Sequence, residues 1–92
     1  MNISLEYFAQ VRRSAGTGGE ELEVRDGSGL RDALGAAAAL HGSEFRALVL
    51  DDDGAVRPSI VVLVNGTPAR RDGNDPLAAG DTIALLSAVA GG

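Results

Sequence analysis

The first apolar positions of the chain fall at every second residue. Ile3, Leu5 and Tyr7 alternate with Asn2, Ser4 and Glu6, a period of two that predicts a strand with one buried face. Phe8 interrupts the polar side of this pattern, so it either packs beneath another element or stands exposed for a partner. Residues 14–19, Ser-Ala-Gly-Thr-Gly-Gly, predict a flexible turn region. From Glu20 to Arg25 the alternation resumes and predicts a second strand, antiparallel to the first. The loop between the two is longer than the two-residue type, so turn chemistry does not set their register.

Asp26-Gly27-Ser28 ends this strand, with Ser28 placed as an N-cap. Leu30, Ala33, Leu34, Ala37 and Leu40 or His41 then recur at three- and four-residue steps, one apolar stripe of a helix over about 29–41. Four consecutive alanines, 36–39, have the best helix propensity, and Gly42 is placed to end the helix. Phe45, Leu48 and Val49 fit either a short helical turn or an extended edge, before the acidic loop Asp51-Asp52-Asp53-Gly54.

The β-branched run Ile60 to Val64 reads as a strand buried on both faces. Asn65-Gly66 directly after it is a strong hairpin signal. Pro68 confines the returning strand, Thr67 to Arg70, to a sheet edge. Leu77, Gly80-Asp81 and the apolar run Thr82 to Leu86 complete a last strand. One convincing helix on a mixed sheet predicts an α+β two-layer domain, and the expected organisation is a single domain over 1–92 with a flexible tail at 87–92.

Composition narrows the chemistry. Hydrophobic residues are 45 % and charged residues 23 % of the 92 residues, enough for a packed core. The formal charge is −5, which argues against nucleic acid, whose phosphates are bound by clustered Lys and Arg. Cysteine is absent and His41 is the one histidine. Disulfides, zinc-thiolate sites, thiol nucleophiles and Ser-His pairs are thereby excluded or left with little to work with. No catalytic residue and no metal ligand set is expected. No apolar run approaches the roughly 20 residues of a membrane span, and Met1 to Glu6 has no secretory pattern. A cytoplasmic protein with no membrane partner is the expectation. All eight basic residues are arginine, at 12, 13, 25, 31, 46, 57, 70 and 71, with no lysine. A coding preference for Ala, Gly, Val and Arg accounts for this on composition alone.

Gly16-Thr17-Gly18-Gly19 is a turn rather than a phosphate loop, because Glu20-Glu21 follows where Lys-Ser/Thr and a helix would be needed. Asp51-Asp52-Asp53-Gly54 fails as an EF-hand loop, since Val49 and Ile60 would fill ligand positions. His41 falls at a helix C-terminus, where it serves the dipole or the last carbonyls. Gly91-Gly92 is different. Glycine has no Cβ, so such an end is the thinnest and most pliable polypeptide available. It can thread a narrow channel and present an α-carboxylate to a buried centre.

These residues together resemble the MoaD/ThiS sulfur carriers of the ubiquitin-like β-grasp fold. The resemblance covers the full length and rests on Tyr7-Phe8-Ala9-Gln10-Val11-Arg12, Val64-Asn65-Gly66, Pro76-Leu77 through Gly80-Asp81, and Gly91-Gly92. The Phe8 to Arg12 segment is particularly similar to the small subunit of molybdopterin synthase. The AVAGG ending, Ala88 to Gly92, also looks like carriers serving cysteine biosynthesis. The resemblance implies a mixed four- to five-stranded sheet whose first and last strands are parallel neighbours. It also implies a protein co-substrate, not an enzyme, or a non-catalytic subunit of molybdopterin synthase. An E1-like adenylyltransferase of the MoeB/ThiF type would use ATP and Mg²⁺ to adenylate Gly92, with Gly91 beside it. Persulfide sulfur would then displace AMP and leave a thiocarboxylate. The acceptor would be an enzyme such as the large subunit of molybdopterin synthase, with cysteine, thiamine or tRNA-thiolation pathways, or conjugation to proteins through Gly92, as alternatives. Phe8, Pro68 and Leu86 match the family's contact face, and the tail residues Ala88, Val89 and Ala90 extend it. An acyl-adenylate is open to amines, so the missing lysines take on a second meaning: suppression of self-acylation.

Overall fold

The computed structural model describes residues 1–70 and 74–87. Its elements are β1 (Asn2–Tyr7), α1 (Ala9–Ala15), β2 (Gly19–Glu23), α2 (Leu30–His41), α3 (Ser43–Val49), β3 (Ile60–Val64), β4 (Thr67–Pro68) and β5 (Thr82–Ser87). The five strands form one sheet in the order β2-β1-β5-β3-β4. β1 and β5 are parallel and every other pair is antiparallel.

Each strand exists because one side of its alternation is buried. Ile3, Leu5 and Tyr7 of β1, Ile83 and Leu85 of β5, and Ile60 and Val62 of β3 join one core with Leu30, Ala33, Leu34 and Ala37 of α2. α2 is the main helix, as the stripe predicts. Ala33 and Ala37 of its stripe are completely buried in that core. α2 does not begin with Ser28 as a cap. Gly29 takes that position, its N–H bonded by the Asp32 carboxylate at 2.9 Å, while the Ser28 carbonyl accepts from the Leu77 N–H at 2.8 Å. A Cβ on Gly29 would come within 2.2 Å of the Asn74 side chain; this crossing point of two segments admits only glycine.

Two helices accompany α2 that periodicity did not single out. α1 takes Ser14 and Ala15 out of the expected turn region, and it buries Val11 alone. α3 resolves the open choice for Phe45, Leu48 and Val49 in favour of helix, because spacing i, i+3, i+4 puts Phe45 and Val49 together in the core. The acidic loop folds back on itself, Asp51 Oδ1 accepting from the N–H groups of Asp53 at 2.9 Å and Ala55 at 3.0 Å. His41 corrects another expectation. Its Nε2 meets the Glu20 carboxylate rather than helix carbonyls, and Glu20 also accepts from the Tyr7 hydroxyl at 2.5 Å. The Tyr7, His41 and Phe45 rings close around one another, with centroids 5.1 to 5.8 Å apart.

The hairpin signal is realised as a two-residue turn. Asn65 and Gly66 have φ of 52° and 83°, the left-handed pair that a type I′ turn needs. β4 is an edge strand, as Pro68 requires. β3, however, is buried on one face only. Val61 is 37 % exposed, because all three helices lie on the other side and no element among the described residues covers it on the outer face.

Candidate functional site

Register decides which side chains share the uncovered face. Residues directly opposite one another across a ladder point the same way. Val61 lies opposite Leu86. The β1–β5 register pairs Tyr7 with Leu85, and the Phe8 N–H continues it by bonding the Leu85 carbonyl at 3.1 Å. Phe8 is therefore set beside Leu86. The result is a row, Phe8–Leu86–Val61, across three adjacent strands, roughly 10 Å wide at ordinary strand spacing. The next row inward runs from Ala84 to Leu63 and on to Pro68.

The chain is built to keep Phe8 there. Ala9 has φ 52°, a conformation that costs a non-glycine residue about 1 kcal/mol. That single residue turns the backbone from β1 into α1 and leaves Phe8 46 % exposed. Pro68 is exposed as well, and Leu86 is half-buried between its neighbours. Phe8, Pro68 and Leu86 thus share a face. Val61 and Leu63 belong to the same surface but were missed, since a continuous apolar run reads as two buried faces. Their only sequence signal is that a single strong helix covers one face of a sheet and leaves the other bare.

The row stands at the end of the sheet where β5 runs out. Ser87 follows Leu86 directly, and the chain continues from it to Gly91-Gly92. Ala88, Val89, Ala90, Gly91 and Gly92 lie outside the described residues.

Two of the motifs behind the resemblance sit at the opposite end of the sheet, where they knit strands together. The Asn65 Nδ2 donates to Asp81 Oδ1, and Asn65 Oδ1 accepts from the Thr82 N–H, both at 2.9 Å. Asp81 Oδ2 accepts from the Ala78 N–H at 2.8 Å. The Ala78 N–H, and then the Asn65 amide, hold the Asp81 carboxyl below its ordinary pKa. Gly80 N–H bonds the Asn2 carbonyl at 2.8 Å, tying this turn to β1. These residues stabilise the fold and are far from the exposed row.

Among the described residues no cluster of three or more His, Asp or Glu is arranged to hold a metal ion. The Tyr7–Glu20–His41 group looks chemical but faces the core side, with His41 and Glu20 side chains only 12 % and 18 % exposed. Burial, then the Glu20 hydrogen bond and charge, raise the Tyr7 pKa well above that of free tyrosine. A surface cavity of about 280 Å³ lies between Leu30, Val64, Pro68 and Leu77, at the edge of β4. It shares Pro68 with the exposed surface, but Phe8, Leu86 and Val61 do not line it. No helix among the described residues is long and apolar enough to cross a membrane.

The family model described as ThiS family matches residues 5–92. The chain belongs to the ThiS family. No curated protein sequence matches it, but solved structures do. This ThiS-family chain is 32 % identical to SAMP1, the small archaeal modifier protein 1 of Haloferax volcanii, with all of each chain covered and a TM-score of 0.87. It is 27 % identical to a putative molybdopterin converting factor subunit 1 from Pyrococcus furiosus, over 97 % of this chain and 99 % of that one, with a TM-score of 0.77. It is 25 % identical to Urm1 from Trypanosoma brucei, over 99 % of this chain and 95 % of that one, with a TM-score of 0.78. The fold is the ubiquitin-like β-grasp, and the chain is a member of the ubiquitin-like sulfur-carrier and modifier group. Small carriers of this kind are generally non-catalytic.

Proposed function

We propose that this protein carries sulfur on its C-terminal carboxyl group. A carboxylate is ionised at neutral pH and is a poor acyl electrophile. In this reading an E1-like adenylyltransferase of the MoeB/ThiF type consumes ATP, with Mg²⁺, to join AMP to Gly92. The outer sulfur of a persulfide then attacks the acyl carbon and AMP departs with the bonding electrons, leaving an acyl disulfide. A second thiol attacks its distal sulfur, forms a disulfide there, and releases the thiocarboxylate for an acceptor enzyme. The protein is a co-substrate, and its globule aims the backbone end that reacts.

The observation that carries the reading is the exposed row Phe8–Leu86–Val61 at the end of the sheet from which β5 leads to Gly91-Gly92. A partner that covers this row meets the chain where Ser87 ends β5. Pro68 and Leu63 widen the contact, and Ala88, Val89 and Ala90 are proposed to extend it into the partner. The large subunit of molybdopterin synthase is the proposed acceptor, supported by the Phe8 to Arg12 segment and by the similarity to the molybdopterin converting factor subunit. Acceptors in cysteine, thiamine or tRNA-thiolation pathways use the same terminus.

Similarity to a small archaeal modifier protein favours a second reading, conjugation of Gly92 to a lysine of another protein. Both readings share the adenylate and differ in what attacks it. The test is incubation with the cognate E1-like enzyme, ATP and a sulfur source, followed by intact mass measurement. Replacement of one oxygen by sulfur supports the carrier. Isopeptide adducts of high mass support the modifier. An unchanged mass, with the enzyme active on another carrier, would refute both.

A further inference from the structure

Three observations about amines converge on one property. Eight arginines and no lysine stand along the 92 residues, so no side chain offers an ε-amine. The α-amine recorded at Met1 is held in place, donating to the Val24 carbonyl at 2.7 Å and lying 3.4 Å from the Asp26 carboxylate. The topology then separates this amine from Ser87, the last described residue. Because β1 and β5 are parallel, with Tyr7 opposite Leu85, Ser87 lies eight residue positions beyond Met1 along the strand direction. At the usual rise that is about 26 Å. The five residues after Ser87 reach at most about 18 Å when fully extended.

We propose that the protein is a single-use acyl unit: no amine of this chain accepts its own activated C-terminus, so transfer is always outward and copies never join into chains. This rests on the reading of Gly92 as an activated terminus and holds for carrier and modifier alike. The chemistry at stake is aminolysis. An amine attacks the activated carbonyl, a C–N bond forms, the bond to the leaving group breaks, and the proton passes to solvent. Arginine supplies the positive charge that a surface needs without this reactivity, since its guanidinium stays protonated at any working pH. An ε-amine on the surface would capture a second copy. A free α-amine beside the tail would close the chain into a ring. Either product would withdraw activated carrier from its acceptor; the absence of lysine closes the first route and the strand pairing closes the second.

The test supplies the activated end ready-made. The full chain is prepared with Gly92 as a small-thiol thioester, so the result is independent of whether an E1-like enzyme adenylates it. Amide products are followed by intact mass at neutral pH for the native protein, for Arg13→Lys and Arg25→Lys, and for the native sequence in denaturant. Both arginines are exposed. The native protein is expected to hydrolyse slowly without amide-linked dimers or rings. Arg13→Lys, on the helix that leaves β1 at the Leu86 end of the sheet, is expected to raise amide products by about tenfold or more, whereas Arg25→Lys, at the Met1 end, is expected to add linked copies but no rings. Unfolding is expected to release head-to-tail ring closure, because it removes the separation imposed by the parallel strands. Dimers or rings from the folded native protein at the rate of the variants would overturn the proposal, as would lysine variants that form none. Added hydrosulfide should convert every folded sample, which shows the thioester is competent.

Discussion

Asn65 and Asp81 illustrate how a recognisable motif serves the fold. The Asn65 side chain both donates and accepts at one sheet end, and its backbone holds φ 52°, which asparagine tolerates better than most residues. Asn65→Ala is expected to cost about 1–2 kcal/mol in chemical denaturation, from lost hydrogen bonds and left-handed strain. Asp81 adds a pH dependence whose sign follows from its lowered pKa. A carboxyl held below its unfolded value favours folding fully above about pH 4, and that contribution disappears as the pH falls through the folded pKa. The stability difference between the native protein and Asp81→Asn should therefore shrink in acid. Tyr7 runs the other way. Its raised pKa keeps the phenol protonated, so its contribution is complete below about pH 10 and declines as the pH rises beyond that. As the chain has one tyrosine, ultraviolet titration should record no phenolate in the folded protein until alkaline unfolding begins.

Among the elements, the strands and α2 were readable because each buries several residues at a fixed period. α1 was not, since seven residues around a lone buried Val11 produce no repeat. The available signal was at its end: Arg12 and Arg13 in the last turn, and Gly16 with φ 77° as the cap. β3 was placed correctly but its burial was misjudged, because an apolar residue on a sheet face does not say whether anything covers it. That misjudgement concealed Val61 and Leu63. Phe8→Asp separates this surface from stability. The position is half-exposed and its backbone occupies the N-cap of α1, where aspartate is favoured. Unfolding free energy is expected to change by no more than about 0.5 kcal/mol. Affinity for the acceptor enzyme, measured by calorimetry, should fall by about 2 kcal/mol or more, as for a buried aromatic anchor.

Across the molecule, the parallel pairing of β1 with β5 organises everything else. It brings Phe8 beside Leu86 at one end and keeps the Met1 amine and the Asn65–Asp81 clamp at the other. Removal of Gly92 should leave the melting temperature unchanged, since the core lies within residues 3–85, and should abolish formation of the sulfur-bearing product in the mass assay. Local order along the chain was enough to specify the strand alternation, the main helix and the Asn65-Gly66 hairpin, because each depends on neighbours a few positions apart, and composition alone gave the absence of lysine. Which strands lie side by side depends on contacts between residues nearly 80 positions apart, and no local period encodes such a pairing. The exposed row, the bare outer face, the Tyr7–Glu20–His41 cluster and the separation of Met1 from Ser87 all follow from that pairing, so they became visible only once the sheet was assembled.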